Sequence, residues 1–184
     1  MSLTPSNILE RGTLASDFTL LDTISEKIIS LQELKGERGT IIFFICNHCP
    51  FVIHINRELV QLAKDYTSRG FSFIAISSND AEKYPMDGPQ KMKIHATKEH
   101  YPFPYLYDET QEVAKAYNAA CTPDLYVFDG NLTSVYHGQL DDSRPGNGVP
   151  VSGKDIRRVL ETMLSNRIYK GVPKPSMGCN IKWK

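Results

Sequence analysis

Apolar and polar positions change period several times along the chain, and each change marks an element. Ile41, Ile42, Phe43, Phe44 and Ile45 follow Thr40 without interruption, which predicts a buried strand. Beyond Pro50, the positions Val52, Ile55, Leu59, Leu62, Ala63 and Tyr66 recur mostly at three- and four-residue spacing. That stripe predicts an amphipathic helix, with Gly70 as its stop signal. Phe71 to Ser77 reads as a second strand, and strand, helix, strand at this length implies a right-handed parallel crossover.

The flanking segments follow less regular patterns. Residues 1–16 show no periodicity and read as an extended arm. Phe18, Leu20, Ile28 and Ile29 flank the polar run Asp22 to Lys27, which predicts a hairpin capping one sheet edge. Ser30 to Gly36 reads as one helical turn with a serine start. Ser78 to Pro89 is a polar loop placed to wall a site at the end of the first strand. Gln90 to His100 reads as a weaker helix, Tyr101 to Tyr105 as a turn, and Asp108 with Gln111 as a capping box opening a helix through Tyr117. Leu125 to Phe128 and Val135 to His137 are short strands around an Asp129-Gly130-Asn131 turn. Ser152 is placed to cap a last helix striped by Ile156, Val159, Leu160, Met163 and Leu164. Residues 169–184, rich in proline and glycine, read as a surface tail. The sum is a single α/β domain over 1–184, with a central mixed sheet, helices on both faces and an N-terminal hairpin.

Composition narrows the function classes. The 184 residues hold 21 basic and 21 acidic side chains, so no electrostatic footprint for nucleic acid or an anionic membrane is visible. The start of the chain lacks the pattern of a secretion signal, and no apolar run is long enough to span a bilayer. These readings set a cytoplasmic location as the expectation. There, four cysteines point to catalysis or metal binding rather than a disulfide scaffold.

Cys46 and Cys49 bracket Asn47-His48 where the first strand passes into the helix. Helix N-termini present unpaired backbone N–H groups and partial positive charge, both of which favour thiolate over thiol. His48, when protonated, adds a positive neighbour. A zinc site normally needs a second close cysteine pair, and Cys121 and Cys179 stand alone. No cofactor is called for beyond the cysteine pair.

The C-x-x-C after an apolar strand, and Thr122-Pro123 before a later strand, resemble the thioredoxin superfamily. NHCPFV at 47–52, SSNDAEKYP at 77–85, CTPDLYVFD at 121–129, DDSRPGNG at 141–148 and GCNIKWK at 178–184 are more closely similar to the redoxin group. That group of thioredoxin-like proteins is classed with alkyl hydroperoxide reductase and thiol-specific antioxidant proteins. The resemblance implies a thioredoxin-like fold, with Cys46 as an exposed nucleophile and Cys49 as the resolving cysteine. It also implies a cis-Pro123 beside which backbone groups are free to pair with an extended substrate. Cys121, next to Thr122, is then either a third redox sulfur or a buried core thiol. Cys179 either folds back to resolve an oxidised sulfur, or sits in a tail anchored by burial of Trp183. Arg144 either holds an anionic substrate group or stabilises its own loop.

Peroxiredoxins resemble this fold and carry Pro-x-x-x-Thr-x-x-Cys at the same junction. Counted back from Cys49, the threonine and proline positions hold Cys46 and Ile42; counted back from Cys46, they hold Phe43 and Gly39. Neither register supplies the peroxide-orienting groups. The leading expectation is therefore thiol–disulfide exchange between a protein or small-molecule disulfide and a thiol electron donor. Thiol peroxidase activity is the alternative, and metal binding or delivery is the alternative of another class.

Overall fold

A computed structural model describes residues 3–184. β1 (Leu3–Pro5) pairs antiparallel with the far end of the chain, so the N-terminal segment is not wholly an unpaired arm. A three-residue strand is too short to show a period, which is why its sequence carries no sign of it. β2 (Thr19–Asp22) and β3 (Lys27–Ser30) form the expected edge hairpin. Ser30 caps α1 (Leu31–Leu34) in a reciprocal capping box with Glu33.

β4 (Gly39–Phe44) is buried along its whole length, as a strand covered on both faces must be. It runs into α2 (Pro50–Tyr66), and β5 (Phe71–Ser77) returns parallel to β4. A short 3-10 turn at Thr67–Arg69 precedes Gly70, whose φ of 91° makes the left-handed reversal that glycine permits. α3 (Pro89–Lys98) leads to β6 (Tyr105–Tyr107), a third parallel strand where the sequence predicts a turn. Pro102 and Pro104 mask it, and Tyr105 N–H is held by the Asp22 carboxylate at 3.0 Å. Through β6 the hairpin joins the sheet.

α4 (Glu112–Ala116) is shorter than expected, and its capping box does not form. Gln111 sits in left-handed backbone, while the Asp108 carboxylate accepts from Ala114 N–H at 2.9 Å. β7 (Cys121–Thr122), β8 (Asp124–Asp129) and β9 (Ser134–Gly138) follow, and α5 (Lys154–Leu164) closes the second half. Ser152 does not cap α5; its N–H and that of Gly153 donate to Asp141 at 2.6 and 2.7 Å. β10 (Met177–Asn180) lies between β1 and β7, so the closing segment is a strand and not a surface tail.

The large sheet has the order β3-β2-β6-β5-β4-β8-β9. Alternate residues of β4 point to opposite faces. Ile41 and Phe43 pack with Val52, Leu59 and Ile156 of α2 and α5. Ile42 and Phe44 pack on the other face with Leu31, Ala114, Tyr117 and Tyr126. Each of these buried side chains contributes about 1.5–3 kcal/mol by leaving water. Together they fix the carboxyl end of β4 rigidly, which is where Cys46 emerges. Among the described residues, no helix is long and apolar enough to cross a membrane.

Candidate active site

The site is built where β4 ends, α2 begins and β7 turns into β8. Cys49 is the N-cap residue of α2, with Pro50 in the first turn, where its missing N–H costs nothing. The Cys49 side chain faces the orphan N–H of Val52. The Thr122–Pro123 peptide is cis, as the resemblance implies. Thr122 touches both cysteines: its Oγ1 lies 3.5 Å from Cys46 Sγ, and its carbonyl oxygen 3.1 Å from Cys49 Sγ.

All four cysteines are buried, and none is in a disulfide. Cys46 was expected to be exposed, but only 2% of it is. The groups around its sulfur are Thr122, Cys49 and the buried Asp87. β10 pairs with β7 so that Cys179 lies opposite Thr122, and Cys179 Sγ comes within 2.9 Å of Cys49 Sγ. The backbone edge beside Pro123, expected to be open to substrate, is occupied by the chain's own closing strand. Trp183, expected to anchor this segment by burial, is 40% exposed; buried Ile181 anchors it instead.

The surroundings treat the two C-x-x-C sulfurs unequally. The Cys49 thiol is lowered to about 5, first by the Cys46 thiol donating to it, then by Cys179 and the backbone N–H groups of Val52 and Cys179. Burial and the Thr122 carbonyl, which is an acceptor for a neutral thiol, work against this. The Cys46 thiol is pushed well up, first by its bond to Cys49, then by burial and by the charge of Asp87. We place the negative charge on Cys49, because the helix cap and its N–H groups serve that sulfur. Cys121 is pushed up by burial, and its Sγ lies 3.6 Å from the Pro123 carbonyl. It has the geometry of a core thiol.

Asp87 is a site residue that sequence reasoning missed. It is fully buried, accepts from Asn47 N–H at 2.9 Å and from Asn79 Nδ2 at 2.8 Å, and lies 2.8 Å from His48 Nδ1. The His48 contact has ion-pair distance without hydrogen-bond alignment. Asp87 raises the pKa of His48, whose ring stacks on Tyr84 at 5.8 Å. The only signal in the sequence was an acidic residue in the polar loop expected to wall the site. Cys46 Sγ, His48 Nδ1 and a carboxylate oxygen of Asp87 lie within 4.8 Å of one another, a grouping capable of holding a metal ion.

Arg144 is committed to its own loop. It donates to the carbonyls of Asp141 and Ser143 at 2.7 Å and to Gln139 Oε1 at 2.6 Å. It also lines a shallow cleft with Phe51, His54, Pro123 and Met177. His54 donates to or accepts from Ser143 Oγ at 2.7 Å and makes no contact with the sulfurs.

Known proteins share the fold that carries this site. The structure of an uncharacterized conserved protein from Geobacillus kaustophilus is 55% identical, covers 100% of this chain and 97% of its own, and superposes with a TM-score of 0.98. A hypothetical protein from Sinorhizobium meliloti is 42% identical, covers 98% of both chains, and has a TM-score of 0.95. The thioredoxin domain of a thiol-disulfide oxidoreductase from Bacteroides vulgatus shares the fold, at 16% identity and a TM-score of 0.65, over 85% of this chain and 99% of that one. The search of curated proteins returned no match. Residues 12–136 match the AhpC/TSA family, so this chain, with its thioredoxin-like fold, belongs to that family.

Proposed function

We propose that this protein is a thiol–disulfide oxidoreductase whose attacking sulfur is Cys49. The observation that carries the reading is the unequal treatment of the two C-x-x-C sulfurs, with Cys49 at the helix N-terminus and lowered to about 5. This reverses the roles expected from resemblance, in which Cys46 attacks and Cys49 resolves. The Cys49 thiolate attacks one sulfur of a substrate disulfide; the S–S bond breaks and the leaving thiolate takes a proton from solvent. A second protein thiol then loses its proton and attacks Cys49 Sγ, releasing the other half of the substrate as a thiol. Cys46 is the partner that the C-x-x-C spacing supplies. An external thiol donor returns the protein disulfide to two thiols.

The test is reduction of insulin, or of a small aromatic disulfide, with a dithiol donor. Cys49→Ser is expected to lose activity by at least about a hundredfold, since the intrinsic nucleophile is gone. A Cys49→Ser protein as active as wild type would eliminate the proposal.

The grouping of Cys46, His48 and Asp87 favours a second reading, metal binding by the same pocket. Native mass spectrometry of the reduced protein with added zinc decides it. One bound ion, lost on Cys46→Ser, supports it, and an unchanged apo mass removes it.

A further inference from the structure

Several features outside the described chemistry were weighed by what surrounds them. The buried pair His137 and Asp124, 2.8 Å apart, is satisfied by Leu9 N–H and the Tyr126 hydroxyl, and reaches no cleft. The exposed apolar residues Ile28, Ile168 and Val172 have nothing on them to say what covers them. The closing strand is different, because it brings a third thiol to the reacting sulfur.

Everything about β10 positions Cys179. Its register sets Cys179 opposite Leu3 on one side and Thr122 on the other. Gly178 lies so close to β7 that a Cβ there would overlap the Thr122 carbonyl, so only glycine lets the strand approach. Beyond the strand, Ile181 N–H donates to the Ala120 carbonyl at 3.1 Å and Lys182 N–H to Asn79 Oδ1 at 2.8 Å. The Lys182 carbonyl accepts from Asp80 N–H at 2.8 Å and from Gln111 Nε2 at 2.9 Å. These bonds hold Cys179 Sγ 2.9 Å from Cys49 Sγ.

We propose that Cys179 is a redox-active residue of this site, a resolving thiol that closes a disulfide with Cys49 when Cys49 has reacted. This rests on the oxidoreductase reading above and names one partner of its attacking sulfur. The Cys49 thiolate attacks a low-molecular-weight disulfide, RSSR, forming Cys49–S–SR and releasing RS⁻. Cys179 then gives up its proton and attacks Cys49 Sγ; the Cys49–SR bond breaks, RSH leaves, and Cys49–Cys179 is formed. One RSSR becomes two RSH as two protein thiols become a disulfide. In the reduced protein the Cys179 thiol is pushed up to about 12, first by burial and then by its contact with Cys49. Conversion of Cys49 to a neutral mixed disulfide removes the second cause and readies Cys179 for attack. The oxidised protein then has its closing strand tied covalently across the site, while Cys46 remains a thiol.

The experiment uses full-length Cys46→Ser protein, which removes the competing C-x-x-C disulfide, oxidised with glutathione disulfide and mapped by proteolysis and mass spectrometry. The expected product is an intramolecular Cys49–Cys179 disulfide with two glutathione molecules released per protein. Glutathione retained on Cys49, or a link from Cys49 to Cys121, overturns the inference and leaves the oxidoreductase reading standing. No reaction of Cys49 with glutathione disulfide overturns both. A second variant, Cys46→Ser with Gly178→Ala, keeps every remaining thiol but hinders docking of β10. Its Cys49–Cys179 closure is expected to slow at least tenfold, with glutathione accumulating on Cys49; closure at the unaltered rate contradicts the role given to the docked strand.

Discussion

The strand–helix junction at Cys46 and Cys49 and the closing segment from Tyr169 meet at one pair of sulfur atoms, 2.9 Å apart, yet they are held by different forces. The junction is anchored from beneath. β4 is buried over its whole length, and α2 buries a continuous stripe, so the positions of Cys46 and Cys49 follow from core packing. The closing segment places Tyr169, Cys179 and Ile181 in the core. It is held by backbone hydrogen bonds to β1 and β7 and by the side chains of Asn79 and Gln111, with Ile181 as its buried apolar anchor. The sulfur that the proposal makes reactive is thus carried by the core-anchored element, and its cover by one held mainly through hydrogen bonds.

Core truncation should separate the two regions most strongly. Phe43→Ala is expected to cost about 3–5 kcal/mol of global stability, read from urea unfolding. A loss under about 1 kcal/mol would mean that the junction is not supported from the core. Ile181→Ala comes next. It is expected to cost about 2–3 kcal/mol, and to raise the alkylation rate of Cys49 at neutral pH several-fold as the cover loosens. Unchanged alkylation would show that the closing strand does not shield the site. Trp183→Ala stands last, with an effect within about 0.5 kcal/mol and no change in alkylation, since that side chain is exposed and its ring meets Lys115 Nζ at 6.0 Å. A loss as large as that at Ile181 would restore the anchor role to Trp183.

The same contrast explains what the sequence makes legible. The run Ile41–Ile45 and the stripe of α2 are local patterns, and both elements stand where that pattern predicts. The edge hairpin, the β8–β9 pair, α5 and the cis bond before Pro123 were equally legible from turn chemistry and motif. What escaped has its cause at long range. β1 and β10 stabilise each other across most of the chain, so neither shows a period of its own. β6 hides behind two prolines, and Asp141 displaces Ser152 as the group that receives the N–H groups before α5. At the site, the C-x-x-C was visible. The burial of Cys46, the contribution of Asp87 and the approach of Cys179 all depend on segments brought in by tertiary structure. The proposed direction of reactivity also differs from the one the resemblance implies. Spacing alone does not reveal that the helix N-cap and the N–H groups of Val52 and Cys179 serve Cys49.

That assignment of charge is the central claim, and a pH titration of thiolate ultraviolet absorbance in the reduced protein tests it directly. A thiol whose folded pKa is depressed is ionised above that value and becomes neutral as the pH falls through it. Wild type should therefore gain one equivalent of thiolate centred near pH 5, fully present at neutral pH and lost in acid. Cys49→Ser should lack that step, with Cys46 and Cys121, both raised by burial, ionising in the alkaline range. A low-pH step that survives in Cys49→Ser, or a wild-type protein with no ionisation below about pH 8, the ordinary cysteine range, would contradict the account.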